Sequence, residues 1–166
     1  MFAAARGAKA LLEAGFTSAY GASEAKLRLA VAMRNEVDAG RRPGPRIGAG
    51  SLEISVAGAM GDESRLHNLR PGSPAMIVDG PEEIRKAVRL CCREGCDDIK
   101  LDVSGNPFYP STPAHTTTMS FEEIRMAVDT AHNYGRKVNA HTRSIEGSKN
   151  YTKAGVYGLF HCEFTI

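Results

Sequence analysis

The chain has 166 residues, which is enough for one domain with a hydrophobic core. Its hydrophobic content of 42 % and charged content of 24 % are ordinary for a globular protein. A net charge of +2 gives no reason to expect nucleic acid or an anionic membrane as a partner. No apolar run approaches the roughly 20 residues that a membrane-spanning helix needs. The N-terminal segment lacks the pattern of a signal peptide. From charge and hydropathy we expect neither nucleic acid nor a membrane as a partner.

Hydrophobic periodicity and helix-breaking residues predict helices and strands in regular alternation. In chain order the predicted elements are a helix over 3–14, a strand over 16–20, a helix over 24–39 capped by Ser23, a strand over 46–55, a helix from Asp79 to about residue 94, a strand over 97–103, a helix from Ser120 to about residue 134, a strand over 136–141, a helix over 144–153 and a strand over 156–161. The alternation predicts an α/β fold with a parallel sheet.

The connections indicate which end of this sheet carries the function. Turns from helix to strand are short, whereas the strand-to-helix segments include the two longest, 56–79 and 104–119. This asymmetry is typical of barrels and doubly wound sheets whose active face lies at the C-terminal ends of the strands. No glycine-rich dinucleotide motif and no Walker-type phosphate loop follows a strand, so a nucleotide-binding function is not favoured.

The cysteines do not indicate a disulfide framework or a zinc finger. Cys91, Cys92 and Cys96 are too close together for a long-range framework, and their spacing does not match paired zinc-finger ligands. Reduced thiols, most of them buried, in a cytoplasmic protein are the expected interpretation.

Lys100 is the most unusual residue of the predicted strands. Because alternate strand residues face opposite ways, it should point away from the helices, on the same side as Asp98 and Asp102. A buried lysine is costly unless it is paired, neutral or chemically modified. It could be carboxylated by CO2 and bridge two metal ions, or form a Schiff base. The structural alternative is a half-exposed lysine paired with one of the aspartates.

Two histidines end the strands that follow. His141 ends the strand over 136–141, and His161 ends the strand over 156–161. A single histidine of this kind is more often structural, but imidazole is the commonest metal ligand. Two such residues next to an inward lysine favour a metal site. Weaker candidates for substrate contact lie in the loops: Tyr109, His115 and Arg143, with Asp62, Arg65 and His67 as further possibilities.

At these residues the sequence resembles the amidohydrolase superfamily, in its imidazolonepropionase-like and Xaa-Pro-dipeptidase-like branch. The resemblance rests on an ordered set of segments that covers most of the chain: LLEAGFTSAY, GRRPGPRIGAGSLEIS, MIVDGPEEIRKAVRLCCREGCDDIKLDVSG, FEEIRMAVDTAHNYGRKVNAHT and AGVYGLFHCEF. It implies a TIM (β/α)8 barrel, of which residues 1–166 form a single partial domain with five to six βα units. The first strand and the last two βα units of the barrel are expected to be missing.

The resemblance also implies a chemistry. Its members hydrolyse amide or similar C–N bonds with hydroxide bound to one or two divalent metals, usually Zn2+. Carried over by position, Lys100 would be the carboxylated bridging lysine, and His141 and His161 would bind the second metal. Dipeptides or N-acyl amino acids are the expected small-molecule substrates. The open edges of a partial barrel predict association into homo-oligomers.

Two departures from the family pattern fall inside the chain. The family often has Gly-Gly-His-Gly-Asp where this sequence has Gly58-Ala-Met60-Gly-Asp62, and it often has a second histidine where this sequence has Arg143. The family's first-strand His-x-His and eighth-strand aspartate are not in the sequence. An inactive barrel fragment that serves as an interaction module therefore stays an alternative, as does a Schiff-base aldolase that uses Lys100.

Overall fold

A computed structural model describes residues 2–63, 74–109 and 111–163, and helices and strands alternate along most of this part of the chain. The helices are α1 (Phe2–Glu13), α2 (Leu29–Asp38), α3 (Gly80–Arg93), α4 (Phe121–Asn133) and α5 (Ile145–Ala154). The strands are β1 (Ser18–Tyr20), β2 (Arg46–Gly48), β3 (Glu53–Ser55), β4 (Ala75–Ile77), β5 (Asp98–Asp102), β6 (Lys137–Thr142) and β7 (Gly158–His161). None of the helices described here is long and apolar enough to cross a membrane.

The strands form two parallel sheets. β1 pairs with β2, and a five-stranded sheet has the order β4-β3-β5-β6-β7. Because every strand pair is parallel, all strands of the larger sheet end at the same edge. The predicted α/β fold with parallel strands is confirmed.

The hydrophobic core lies between the larger sheet and the helices. Ile99 and Leu101 of β5 are fully buried in the same cluster as Ile84 of α3 and Ile124 of α4. The residues that alternate with them, Asp98, Lys100 and Asp102, face the other way, as the strand periodicity predicts. The sheet therefore has one apolar face against the helices and one polar face that is also buried.

Glu123 stabilises the N-termini of two helices. The predicted capping box is present, since the Ser120 hydroxyl accepts from the Glu123 N–H and the Glu123 carboxylate accepts from the Ser120 N–H. The other carboxylate oxygen accepts from the N–H of Gly80, at the first turn of α3 (2.8 Å). Asp79 stands at the N-cap position of α3, but its carboxylate accepts from the Ala57 N–H instead of capping the helix.

Three sequence predictions were wrong in detail. The helix predicted over 24–39 begins at Leu29, because the N–H groups of Gly21 and Glu24 bond to the segment at 48–51 and prolong the β1–β2 pairing. Ser23 therefore caps no helix. The strand predicted over 46–55 is divided into β2 and β3, which pair with different sheets. The segment 56–79, predicted to be a loop, contains β4.

Candidate metal centre

Lys100 is buried on the polar face of the sheet, with only 4 % of its surface exposed. Its backbone N–H donates to the Ser51 hydroxyl (2.9 Å), which holds the strand in place. The ammonium nitrogen lies 5.1 Å from the centre of the Phe160 ring, a cation–π distance. Within the described residues Lys100 makes no ion pair, so the structure does not show the half-exposed, paired lysine considered as the structural alternative.

The two aspartates on the same face are incompletely paired. Both carboxylate oxygens of Asp102 are buried without a hydrogen-bond donor among the described residues, as is one oxygen of Asp98. The other Asp98 oxygen accepts from the Asn139 amide (3.1 Å). Burial raises the pKa of Asp98 to about 6 and that of Asp102 well above its usual range, while the nearby charge of Lys100 lowers both.

His141 is held by its ring nitrogen Nε2. The side chain is 2 % exposed, and Nε2 lies 3.0 Å from the carbonyl oxygen of Gly105. A carbonyl only accepts, so Nε2 carries the proton and Nδ1 has a free lone pair in the neutral ring. Burial lowers the pKa of His141 to about 4, which keeps this ring neutral at pH 7. A neutral histidine anchored by a carbonyl is the usual arrangement of a metal ligand.

His161 reaches the same place through an unusual backbone conformation. The register of β6 and β7 pairs His141 with Phe160 and Thr142 with His161, so a regular strand would turn His161 to the opposite face. Instead His161 and Cys162 have φ angles of 80° and 54°, in the left-handed region. The rings of His141 and His161 meet edge to face, with centroids 4.5 Å apart.

Arg143 lies against His161. Its side chain forms an ion pair with Glu163, and a second guanidinium nitrogen lies 3.4 Å from Nδ1 of His161. This distance is at the long end for a hydrogen bond. Because the guanidinium only donates, the contact favours the tautomer of His161 that has its proton on Nε2. Burial and the charge of Arg143 both lower the pKa of His161.

These side chains fit a divalent cation on the condition that Arg143 moves away from Nδ1 of His161. Both oxygens of Asp102 are buried beside Lys100 without a donor among the described residues, and buried polar atoms of this kind are stabilised by a hydrogen bond or by a metal. Nδ1 of His141 is available as a ligand, whereas His161 becomes available through Nε2 once Arg143 leaves its Nδ1. The described part of the chain contains no group of three His, Cys, Asp or Glu side chains placed to share a metal, so a metal centre here would need Lys100 as a further ligand.

The other predicted substrate contacts lie in the segment after β5. Tyr109 is half-buried and His115 is exposed, and no hydrogen bond joins either one to Lys100, His141 or His161 among the described residues. The Asp62 carboxylate accepts from the Gly58 N–H (2.8 Å). Arg65 and His67 lie outside the described residues.

Several residues that support the site were not predicted from the sequence. Asn139 lies on the polar face of the sheet with His141, and its amide joins Asp98 to the hydroxyl of Tyr20. Period-two alternation from His141 would have placed Asn139 there. No sequence signal indicates Glu163 or the carbonyl of Gly105, because their roles arise from long-range contacts.

Comparison with known proteins agrees with the observed fold. The Amidohydrolase family matches residues 1–162. Ochratoxinase from Aspergillus niger is 31 % identical over 171 residues, which cover 96 % of this chain and 36 % of that protein. The structure of a prolidase complexed with N-methylphosphonate-L-proline has a TM-score of 0.86 and 30 % identity, over 99 % of this chain and 42 % of the other.

A further solved structure, a Xaa-Pro dipeptidase with bound methionine in the active site, has a TM-score of 0.84 and 27 % identity. It is matched over 94 % of this chain and 39 % of its own. The chain thus spans about two fifths of the length of these relatives. Its parallel α/β fold corresponds to part of the barrel of these proteins, as the resemblance implied. The chain belongs to the amidohydrolase family.

Proposed function

We propose that this chain forms part of a metal-dependent hydrolase centre that cleaves an amide-type C–N bond in a dipeptide or N-acyl amino acid. Lys100, His141 and His161 are the proposed metal ligands and catalytic residues. The observation that carries the proposal is the convergence of these side chains at one edge of a parallel sheet, where the active face of such folds lies. Membership of the amidohydrolase family supports the reaction class.

Each side chain has a distinct role in this proposal. In its neutral amine form Lys100 would add CO2 through a new N–C bond and release one proton to solvent, and the resulting carbamate would give the site a carboxylate ligand. His141 uses Nδ1 as its ligand atom while Nε2 stays bonded to Gly105, and His161 uses Nε2. One or two Zn2+ or other divalent ions, when bound, would supply hydroxide at neutral pH and polarise the carbonyl group of the substrate.

The relatives support the substrate class. The solved structures include a dipeptidase with bound methionine and a prolidase with a phosphonate derivative of proline, both of which hold amino-acid groups. We also propose a cytoplasmic location, because Cys91, Cys92 and Cys96 are buried without a disulfide.

A hydrolysis assay with a matched pair of histidine variants tests the function. The chain is incubated with Zn2+, bicarbonate and a panel of N-acyl amino acids and Xaa-Pro dipeptides, and free amino acid is measured. His141→Asn should lower the rate by about a hundredfold or more, because it removes a ligand. His132→Asn, on the exposed end of α4, should leave the rate unchanged.

Three outcomes would contradict the proposal. One is the absence of hydrolysis by the wild-type chain with every member of the panel. The second is full activity of His141→Asn. The third is trapping of a carbonyl substrate on Lys100 by borohydride, which would identify a Schiff-base enzyme instead.

A further inference from the structure

Arg143 is held at the edge of the proposed centre by its backbone. It follows directly after β6, and its N–H donates to the Ser104 hydroxyl (2.7 Å). The side chain is only 11 % exposed. The backbone of Arg143 is therefore anchored to the sheet, and the side chain is largely enclosed.

The donors of this guanidinium are only partly used. One terminal nitrogen pairs with Glu163, and the other makes the long contact to His161. The third nitrogen, Nε, is buried with no acceptor among the described residues. A guanidinium has five N–H donors in a planar fork that matches a carboxylate. Arg143 thus has donors left for a second anionic group.

The present partner of Arg143 is easily displaced. Glu163 is 51 % exposed, and ion pairs with an exposed member contribute little free energy in water. A ligand carboxylate that binds with both oxygens in a less solvated place would compete well with it.

The covalent structure of an N-acyl amino acid suits the short distance between Arg143 and His161. Its free carboxylate is separated from the amide nitrogen by a single carbon atom. A carboxylate bound by Arg143, which touches the ring of His161, would therefore place the amide bond beside the proposed metal ligands.

We propose that Arg143 recognises the free carboxylate of the ligand, and that Glu163 occupies Arg143 in the ligand-free protein as an internal substitute for that carboxylate. The proposal rests on the proposed function for the identity of the ligand. It assigns substrate preference to one side chain, and it predicts that Glu163 weakens ligand binding by competition. Neither effect requires hydrolysis.

The test measures binding by the full chain in the presence of a metal chelator, so that no substrate is consumed. The probes are N-acetylglycine and its uncharged analogue N-acetylglycinamide, titrated by calorimetry or followed by NMR. Wild type should bind the acid and not the amide. Glu163→Gln should bind the acid more tightly, by up to about fivefold, the factor that corresponds to an exposed ion pair.

Variants of the arginine complete the test. Arg143→Gln should lose binding of the acid, and Arg143→Lys should weaken it because an ammonium cannot form the planar fork. Arg125→Gln, on the exposed face of α4, is the matched control and should bind as wild type does. Far-UV circular dichroism checks that each variant folds, and Glu163→Gln keeps the test valid if Arg143→Gln does not fold.

The proposal is overturned if Glu163→Gln binds the acid no more tightly than wild type, or if folded Arg143→Gln binds it equally well. It is also overturned if the amide binds as tightly as the acid. Failure of the proposed function is a separate result, since it would appear as an absence of hydrolysis while the acid still binds through Arg143.

Discussion

The ring of His141 contacts the ring of His161 edge to face, although the strand register pairs His141 with Phe160. The contact exists because the backbone turns into the left-handed region at His161 and Cys162. The proposed centre therefore depends on a local conformation that side chains other than glycine rarely adopt.

Glycine at position 162 should stabilise the chain. A non-glycine residue in the left-handed region costs about 1 kcal/mol or more, which exceeds the entropy that glycine loses on folding. Cys162→Gly should raise the free energy of unfolding by up to about 1 kcal/mol, and Cys162→Val should lower it by at least as much. Urea unfolding measures both values. A valine variant as stable as wild type would contradict the conformational explanation.

The stability of the metal-free chain should depend on pH through His141. Its pKa is lowered to about 4 in the folded protein, against about 6.5 when unfolded. Between these values the unfolded chain binds more protons, so this residue lowers stability as the pH falls from 6.5 to 4. The full effect is about 3 kcal/mol. As the pH falls from 6.5 to 4, the free energy of unfolding of His141→Asn should rise by about 3 kcal/mol relative to that of wild type. Urea unfolding in the presence of a metal chelator measures this difference.

Asp98 should produce the opposite pH dependence. Its pKa is raised to about 6, so the folded chain binds more protons than the unfolded one between pH 6 and about 4. This group therefore adds stability as the pH falls. As the pH falls from 6 to about 4, the free energy of unfolding of Asp98→Asn should drop by about 3 kcal/mol relative to that of wild type. Equal pH dependence of wild type and both variants would show that neither group is shifted.

Removal of the Glu123 carboxylate should destabilise two helices at once. It leaves the N–H groups of Ser120 and Gly80 without their acceptor. We expect Glu123→Ala to lower the free energy of unfolding by about 2 kcal/mol. Glu122→Ala, an exposed neighbour on the same turn, should change it by less than about 0.5 kcal/mol. Similar losses in both variants would contradict the assigned hydrogen bonds.

The sequence predicted those features that depend on local patterns. Alternation along β5 placed Lys100 and Asp102 opposite the apolar core, and the spacing of Ser120 and Glu123 indicated the capping box. Both follow from strand and helix periodicity, which residue type alone reveals.

Long-range contacts could not be predicted in this way. The bond from Glu123 to Gly80 and the ion pair of Arg143 with Glu163 join residues of different elements. The start of α2 was predicted too early because Ser23 is a residue type that often caps helices. In the structure the segment 21–24 instead bonds to the segment 48–51, which prevents helix formation there. The turn at His161 was not predicted because positive φ is uncommon for any residue other than glycine, and neither His161 nor Cys162 is a glycine.

Association of the chain with itself should proceed through the edge formed by β7. This strand is last in the five-stranded sheet. Tyr157, just before the strand, and Leu159, within it, are exposed. An exposed apolar edge strand favours pairing with another chain. We predict concentration-dependent homo-oligomers in analytical ultracentrifugation, and Leu159→Lys should shift them toward monomer. Phe108→Lys, an exposed apolar residue in a loop, is the control. A wild-type chain that stays monomeric at all concentrations would contradict the prediction.

Native mass spectrometry of the chain with Zn2+ and bicarbonate tests whether Lys100 is carboxylated and helps to hold a metal. We expect bound zinc and an added mass of one CO2, both lost in Lys100→Ala and both retained in Lys137→Ala, which changes an exposed lysine on the neighbouring strand. Isotope-labelled bicarbonate should transfer its label to Lys100. Zinc bound equally by wild type and Lys100→Ala, without added CO2, would contradict the proposed centre.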